Sequence, residues 1–266
     1  MASYRISASV ETDGPQLGKW GSAVALKRQK GLELLCRICP TGKRSLCGVL
    51  MRGLSQAPEQ CAYRVRQSPY NAEANEIIYR REAMSSDVFA VCQGWALRFV
   101  ELTDGRRQNL AVLLPGDISV ATLFEDKLHF SVQAVTKLRI TRFARADLKK
   151  HILSDVHTFE RFGRAFATEL HDVDERAVDL GRRSAEERVA HLILGLVARM
   201  SKHRVRPNHP YVFPLLQRHI ADLTGLTPVH VSRVMTEFRK AGLMKLAKGL
   251  LTITDLAGFE LIARLN

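Results

Sequence analysis

The spacing of hydrophobic residues changes along the chain and divides it into regions of different predicted structure. Between about residues 67 and 143, short runs rich in Val, Leu and Phe alternate with turns that contain Gly or Asp. Such runs are typical of antiparallel strands. They predict a small β-roll or jelly roll with corners at Gly94, Gly105 and Gly116. Residues 1–30 have no sustained periodicity and are predicted to be a flexible basic tail.

The hydrophobic spacing becomes helical from about residue 145 to residue 180. Apolar or small side chains recur there in steps of three and four, at Val156, Phe159, Gly163, Phe166, Leu170, Val173, Ala177 and Leu180. This spacing is typical of a coiled-coil seam. The pattern predicts a long helix that pairs with a second copy of the chain, and packing on the chain's own β domain is the alternative. Residues 181–184 are predicted to break the helix as a hinge.

The stretch from residue 217 to residue 240 predicts two short helices joined by a tight turn at Gly225, where glycine adopts a positive φ at little cost. Thr227 is a favourable N-cap and Pro228 a favourable first residue of the second helix. The predicted inner face of that helix is Val231, Val234, Met235 and Phe238, and the outer face carries His230, Ser232, Arg233 and Arg239. Such a helix-turn-helix places a helix in the major groove of DNA. Residues 245–255 predict a hairpin that would form the wing of a winged helix.

Composition and charge limit the classes of partner. The chain has 266 residues, a formal net charge of +13 at pH 7 and a pI near 9.9. This length suits two domains, and the positive charge favours a polyanion without separating DNA from RNA or an acidic membrane. No apolar run approaches the roughly 18 residues that span a bilayer, and the N-terminus has no signal-peptide core. We therefore expect a cytoplasmic protein without a membrane partner.

Three of the five cysteines, Cys36, Cys39 and Cys47, follow a C-x2-C-x7-C pattern. Two thiolates separated by two residues can bind one metal from a single turn, and a third can close over it from a nearby loop. Thiolates alone suit zinc or an iron–sulfur cluster, and the sequence does not decide between them. The alternative is three buried small hydrophobic residues. Cys61 and Cys92 are the candidates for a fourth ligand.

Four segments resemble signature segments of the Crp/Fnr superfamily of bacterial transcription regulators. They are QGWALRF, DGRRQNLAVLLPGD, RRSAEERVAHLIL and IADLTGLTPVHVSRV. The resemblance implies an α+β fold with an N-terminal β-roll like a cyclic-nucleotide-binding jelly roll, a long dimerisation helix and a C-terminal winged helix-turn-helix. The corresponding boundaries are 1–30 for the tail, 31–150 for the cysteine segment and β-roll, 151–182 for the dimerisation helix and 183–266 for the DNA-binding domain.

The resemblance also bears on the β-roll ligand. Members that bind cyclic AMP have a glutamate for the ribose and an Arg-Ser pair for the cyclic phosphate. The corresponding segment here, ISVATLFEDKLHFSVQAV, lacks the glutamate and has Phe130 and Ser131 in place of the pair. A cyclic phosphate requires cationic or amide donors, which Phe130 cannot supply. The sequence therefore predicts no cyclic-nucleotide cofactor.

The N-terminal cysteines resemble those of the FNR and FixK-like branch, in which FNR holds an oxygen-labile four-iron cluster on three clustered cysteines and one distant cysteine. The resemblance implies an iron–sulfur (4Fe-4S) cluster on Cys36, Cys39 and Cys47 with one distant ligand. That ligand is Cys92, Cys61 or a non-cysteine group, and Cys92 is our prediction. The chain departs from the FNR pattern, because the second gap is longer than in enterobacterial FNR and the β-roll cysteine of FNR falls near Arg139. A vestigial motif, a zinc site or a thiol redox switch is the alternative.

The resemblance assigns roles in DNA recognition. Arg233 matches the family's arginine that binds a guanine edge, and Ser232 matches a neighbouring base or phosphate contact. FNR-type and Crp-type members usually have a glutamate where this chain has Val229, so their half-site preference does not transfer. His230 and Val229 are expected to read a methyl group and a base edge in its place. The predicted DNA-contacting residues are Arg218, Thr227, Val229, His230, Ser232, Arg233 and Arg239.

These features predict a homodimeric, sequence-specific transcription regulator that responds to oxygen or redox state. The implied partners are a palindromic double-stranded DNA site, a second copy of the chain and RNA polymerase. A thiol or zinc enzyme is the other class, and its best site would be the cysteine cluster with Asp117 and Glu125. No nucleophile–base pair or phosphate-binding loop occurs at a recognised spacing, so we predict that the protein is not an enzyme.

Overall fold

The computed structural model describes residues 67–119, 121–201 and 205–263. It confirms the predicted α+β fold, in which a β-roll is followed by a long helix and a winged helix-turn-helix. Within these ranges, no helix is both long and apolar enough to cross a membrane. The predictions that lie outside the described residues are the basic tail, Cys36, Cys39, Cys47 and Cys61.

In the described part of the chain, seven strands form the β-roll. They are β1 (Gln67–Ala72), β2 (Ile77–Tyr79), β3 (Asp87–Gln93), β4 (Ala96–Glu101), β5 (Arg107–Leu113), β6 (Ser131–Ala134) and β7 (Leu138–Ala144), with a short 3-10 helix at Ala121–Leu123. One antiparallel sheet has the order β1-β7-β3 and the other the order β2-β6-β4-β5. Side chains that point inward from both sheets, including Phe89, Phe130 and Ile140, form the core between them.

The hydrophobic runs correctly predict β2 to β7, whereas β1 has no such run. Its sequence, QSPYNA, contains Pro69, which cannot donate to a strand ladder. β1 lies at the edge of its sheet against β7. An edge strand tolerates proline because one of its sides does not need to pair.

The predicted corners of the β-roll are confirmed. Gly94, Gly105 and Gly116 have φ values of 88°, 83° and 102°, in the region that favours glycine. At Gly94 a Cβ atom would lie 2.2 Å from the carbonyl oxygen of Lys137. This corner therefore excludes any side chain, for both conformational and steric reasons.

Two helices follow the β-roll, α1 (Arg145–Leu153) and α2 (Val156–Arg182). The sequence predicted one helical segment here, and it is divided because Asp155 starts a new helix. Its carboxylate accepts the backbone N–H of Thr158 at 2.8 Å and acts as the N-cap of α2. Phe162 is buried and attaches the first half of α2 to the β-roll.

The predicted seam of α2 does not pack on the β-roll. Six of its hydrophobic side chains are between 44% and 72% exposed, and they are Val156, Phe159, Phe166, Leu170, Val173 and Leu180. A contiguous apolar surface of this kind usually marks an interface in a soluble protein. The alternative in which this stripe packs on its own β domain is therefore wrong.

Arg183 and Ser184 separate α2 from the C-terminal elements, which confirms the predicted break. These elements are α3 (Ala185–Met200), β8 (Pro210–Val212), α4 (Gln217–Thr224), α5 (Pro228–Lys240), β9 (Met244–Ala247), β10 (Leu250–Ile253) and α6 (Leu256–Ala263). The strands form a sheet in the order β8-β10-β9. Lys248 and Gly249 join β9 to β10 with φ values of 52° and 74°, as in a type I′ turn. The predicted wing is confirmed.

Polar contacts and a shared hydrophobic core join the C-terminal elements to the β-roll. Arg199 of α3 donates to the carbonyl of Val112 at 3.1 Å and pairs with Asp117. Gln108 of β5 donates from Nε2 to the carbonyl of Asp222 in α4 at 2.6 Å. Val112 belongs to the same buried cluster as side chains of α3, α4 and α5. These contacts fix where the helix-turn-helix lies relative to the β-roll, and they give Asp117 a structural role.

Candidate nucleic-acid interface

The start of α5 is fixed by its N-cap. The hydroxyl of Thr227 accepts the backbone N–H of His230 at 3.2 Å, and Pro228 occupies the first turn. The predicted inner face is confirmed, because each of its side chains is at most 4% exposed; it consists of Val231, Val234, Met235 and Phe238. Burial of this face determines which side chains α5 presents to solvent.

The opposite face of α5 carries most of the predicted DNA-contacting residues. Val229, His230, Arg233 and Arg239 are exposed there, and Ser232 is half-buried. Arg218 is exposed on α4 and Thr227 at the start of α5. The structure thus brings all seven predicted residues to the accessible surface of the helix-turn-helix.

Two shallow concave surfaces flank this face, and Val229 and Arg233 line both of them. One surface also includes Gln217, Ser232 and Thr236, and the other includes Glu186, Thr227 and His230. Sequence reasoning missed Gln217, Thr236 and Glu186, and it missed Glu237, which lines both surfaces. Thr236 could have been found from its spacing of four from Ser232. Gln217 and Glu186 come from other helices, and no local pattern brings them to α5.

Arg239 differs from Arg233 in its hydrogen bonds. Its Nε donates to the carbonyl of Met235 at 3.3 Å, and its Nη2 donates to the hydroxyl of Thr236 at 2.9 Å. Arg239 is therefore held along its own helix in this structure. It would have to give up these bonds before it could reach a base or a phosphate.

The last turn of α2 contacts the turn of the helix-turn-helix. Gly225 has a φ of 65°, as predicted, and ends α4 in the left-handed conformation. A Cβ atom on Gly225 would lie 3.1 Å from Cδ2 of Leu180. Arg188 of α3 donates to the carbonyl of Thr224 at 2.9 Å. One exposed seam residue, Leu180, therefore also lies against the turn that orients α5.

Charged groups hold the hinge between α2 and α3. Arg183 pairs with Asp179 and, at 3.0 Å, with Glu175, and Nδ1 of His191 lies 2.8 Å from Asp179. Burial alone would raise the pKa of Asp179, but hydrogen bonds from His191 and Arg183 outweigh it and lower this pKa. The carboxylate therefore remains charged at neutral pH and keeps both partners.

His219 supports the start of α4. Its Nδ1 accepts the backbone N–H of Leu216 at 3.2 Å, which requires a neutral imidazole. Burial, with the nearby charges of Arg218 and Arg107, lowers the pKa of His219 to about 4. The backbone carbonyl of His219 accepts a hydrogen bond from Nδ2 of Asn109 in β5 at 3.3 Å. Neutral His219 thus stabilises the helix that docks on the β-roll.

Cys92 is the one predicted metal ligand among the described residues. It lies in β3 at a register shift, where Val91 pairs with Ile140 and Gln93 pairs with Arg139. An extra residue of this kind forms a β-bulge, which re-aims its side chain. Cys92 is half-buried. Among the described residues, no group of three or more His, Cys, Asp or Glu side chains could hold a metal ion.

Phe130 lies in the segment that the resemblance aligns with the cyclic-phosphate site of members that bind cyclic AMP. Phe130 is fully buried, and the guanidinium of Arg98 lies 5.2 Å from the centre of its ring. Arg98 pairs with Glu169 of α2 at 2.7 Å. Arg176 of α2 donates to the carbonyl of Leu110. The β-roll and α2 are thus joined by the chain's own groups at this place.

Comparisons with known proteins identify the family. Residues 70–155 match the model of the cyclic nucleotide-binding domain, and residues 187–262 match that of the Crp-like helix-turn-helix domain. A probable transcriptional activator of Rhizobium leguminosarum bv. viciae is 30% identical over 219 residues, which cover 82% of this chain and 88% of that protein. The chain belongs to the Crp/Fnr family. Members of this family are transcription regulators.

Further Crp/Fnr relatives place the chain in the FixK-like branch. The nitrogen fixation regulation protein FixK of Bradyrhizobium diazoefficiens is 28% identical over 228 residues, 86% of this chain and 93% of that protein. The structure of FixK2 from Bradyrhizobium japonicum has a TM-score of 0.67 at 24% identity, covers 74% of this chain and 96% of that chain, and agrees in fold. The resemblance noted in the sequence is confirmed. The protein is a DNA-binding transcription regulator of the Crp/Fnr type, and its relatives are regulators and not enzymes.

We expect protonation of His219 to destabilise the C-terminal domain in acid. Because its pKa is about 4 in the folded chain and 6.5 in its usual range, the unfolded state binds the proton first. The contribution of neutral His219 is complete above pH 6.5 and is lost as the pH falls toward 4. In urea unfolding, His219→Gln, which stays neutral, should have a weaker pH dependence over this range. His171→Gln, at an exposed histidine of α2, is the control, and equal slopes for all three proteins would contradict the prediction.

Proposed function

We propose that the protein is a homodimeric regulator that reads a palindromic double-stranded DNA site and responds to oxygen or redox state. The observation that carries the DNA-reading part is the exposed position of Arg233 on α5, opposite a fully buried face. From this position an arginine can donate two hydrogen bonds to the O6 and N7 atoms of guanine. The residues assigned to bases or phosphates are Arg218, Thr227, Val229, His230, Ser232, Arg233 and Arg239. The domain assignments are 1–30, 31–150, 151–182 and 183–266, as predicted from the sequence.

The exposed stripe of α2 supports a homodimer. Pairing two stripes would bury Phe166, Leu170 and Val173 of both copies, each now about half exposed. The pairing would relate two copies of α5 by a two-fold axis. Two recognition helices in successive major grooves read a palindrome, which is the DNA geometry we propose.

The position of Cys92 supports it as the fourth ligand of an iron–sulfur cluster, with Cys36, Cys39 and Cys47. Arg139, which corresponds to the β-roll cysteine of FNR, pairs with Gln93, the residue next to Cys92. The bulge therefore supplies a thiol beside the place where FNR has one, on the neighbouring strand. A cluster bound there would supply a centre that oxygen can destroy.

Leu180 supports a physical route from the dimer seam to DNA. It belongs to the exposed stripe and also lies against Gly225. A change in how two α2 helices pair would displace Leu180 and, through the turn, the orientation of α5. A difference of about 1–3 kcal/mol between two dimer states is sufficient for such coupling.

The Arg98–Glu169 pair and Phe130 support the absence of a cyclic-nucleotide response. A bound cyclic phosphate would need cationic donors at the place of Phe130, which is apolar. The guanidinium of Arg98, which lies near Phe130, forms an ion pair with Glu169. We propose that the link between β-roll and α2 is permanent and needs no nucleotide.

RNA polymerase is the proposed protein partner, because several relatives are named as transcriptional activators. The proposed location is the cytoplasm, where both DNA and RNA polymerase are available. The alternative to the iron–sulfur assignment is a regulator whose cysteines are vestigial, bind zinc or act as a thiol switch. Metal content distinguishes these states.

Arg233→Ala should remove specific DNA binding and leave salt-sensitive nonspecific binding. Loss of a bidentate guanine contact costs about 1–3 kcal/mol per half-site, or roughly 5- to 150-fold in affinity. Fluorescence anisotropy with a selected operator and with a scrambled duplex measures both. Arg81→Ala removes the same charge from the β-roll and should change neither. An equal loss on both duplexes would assign Arg233 to phosphate contact alone.

Leu170→Glu should convert the dimer to a monomer. It places a carboxylate in the seam and removes an apolar side chain from each copy, which should weaken dimerisation by at least about 100-fold. Val178→Glu is the matched control, because Val178 is an exposed hydrophobic residue of the same helix outside the stripe. Sedimentation equilibrium decides the question. A Leu170→Glu protein that remains dimeric would place the dimer interface elsewhere.

Protein isolated without oxygen should be brown and contain iron and acid-labile sulfide. Cys92→Ser should lose both, and Cys61→Ser should retain them, with circular dichroism as the control for folding. The reverse result would assign the fourth ligand to Cys61. Zinc, or no metal with DNA binding unchanged in air, would contradict the oxygen-sensing proposal.

Cyclic AMP should not bind at micromolar concentrations in a calorimetric titration of the full chain. The physical reason is the replacement of the cationic phosphate donor by Phe130. The same titration of a Crp/Fnr protein that binds cyclic AMP is the positive control. Micromolar binding by this chain would refute the assignment of the Arg98–Glu169 link as a substitute for the nucleotide.

A further inference from the structure

Val229 is an apolar side chain on the face of α5 that is assigned to DNA. It is 63% exposed, and it precedes Ser232 and Arg233 by three and four residues, so the three side chains lie on one face. The buried face of α5 is already complete without it. A single exposed valine on a protein surface needs no explanation. Val229 does share its surroundings with Arg233, since both line the same two shallow concave surfaces together with Glu237.

The chemistry of the major groove limits what Val229 can contact favourably. The edges of guanine, adenine and cytosine present hydrogen-bond donors and acceptors, and thymine adds a methyl group at C5. A valine offers no donor or acceptor. A polar base edge pressed against it would lose water without a replacement hydrogen bond. Contact between Val229 and a thymine methyl group would instead remove two apolar surfaces from water.

We propose that Val229 reads the 5-methyl group of a thymine in each half-site. This inference rests on the proposed DNA-reading function and specifies its sequence preference. One helical turn separates Val229 from Arg233. Because the arginine side chain is also long, we expect the thymine within about three base pairs of the guanine that Arg233 binds. A glutamate at this position would instead accept a hydrogen bond from cytosine N4. This protein and relatives with glutamate there therefore read different half-sites.

The test removes the methyl group without changing base pairing. A duplex is first selected by the full chain from a random-sequence library, and each thymine is then replaced in turn by deoxyuridine. At one thymine per half-site the replacement should weaken binding about fourfold, and roughly 15-fold when both half-sites are changed, as expected for one buried methyl group each. The other thymines should tolerate the replacement.

Protein variants identify the side chain that senses the methyl group. Val229→Ala should show a much smaller difference between the thymine and deoxyuridine duplexes, because it removes the two Cγ methyl groups and leaves only Cβ to contact the base. Val212→Ala is the matched control, since Val212 is 60% exposed in β8, away from α5, and should retain the full difference. Val229→Glu should select a different base, cytosine, at the same position in a repeated selection.

The outcomes separate this inference from the proposed function. If wild-type protein binds both duplexes equally at every position, or if Val229→Ala keeps the difference, the methyl assignment is wrong while DNA reading stands. If the library yields no preferred sequence, the proposed function itself fails. A reduced difference in Val229→Ala, with the full difference kept in Val212→Ala, supports the assignment.

Discussion

Burial of one face of α5 is the interaction on which the DNA-reading surface depends. Val231, Val234, Met235 and Phe238 are almost completely removed from solvent. At about 1.5–3 kcal/mol for each side chain, their burial is comparable to the whole stability of a small domain. The helix therefore cannot rotate about its axis without unfolding its surroundings. Which side chains face outward, and among them Arg233, follows from this constraint.

The long helix α2 has the opposite property, because its apolar stripe is exposed. Phe162 attaches the helix to the β-roll, while Leu170 and the rest of the stripe remain exposed. At its end, Leu180 lies against Gly225, and the ion pairs of Arg183 hold the hinge that follows. An exposed apolar stripe is thus in direct contact with the turn of the helix-turn-helix. Packing at Leu180 therefore connects the surface of α2 with the orientation of α5.

The β-roll retains the architecture of a cyclic-nucleotide-binding domain with a different interior. Phe130 supplies apolar packing in the interior, and Arg98 pairs with Glu169 on α2. A half-buried charge is costly unless an opposite charge lies beside it. Arg98 and Glu169 each supply that opposite charge for the other. This ion pair joins the β-roll directly to α2.

The sequence by itself determined β2 to β7, the helix-turn-helix with its wing and the inner face of α5, because hydrophobic period, caps and turn glycines are local properties of the chain. Local reasoning failed at β1, which has no hydrophobic run and forms through pairing with β7. Only the tertiary structure brought Gln217 to the flank of α5, placed Cys92 in a bulge beside Arg139, and joined Arg98 to Glu169 across 71 residues. These contacts depend on how elements distant in sequence pack against one another. A periodic pattern of hydrophobic residues carries no information about such packing.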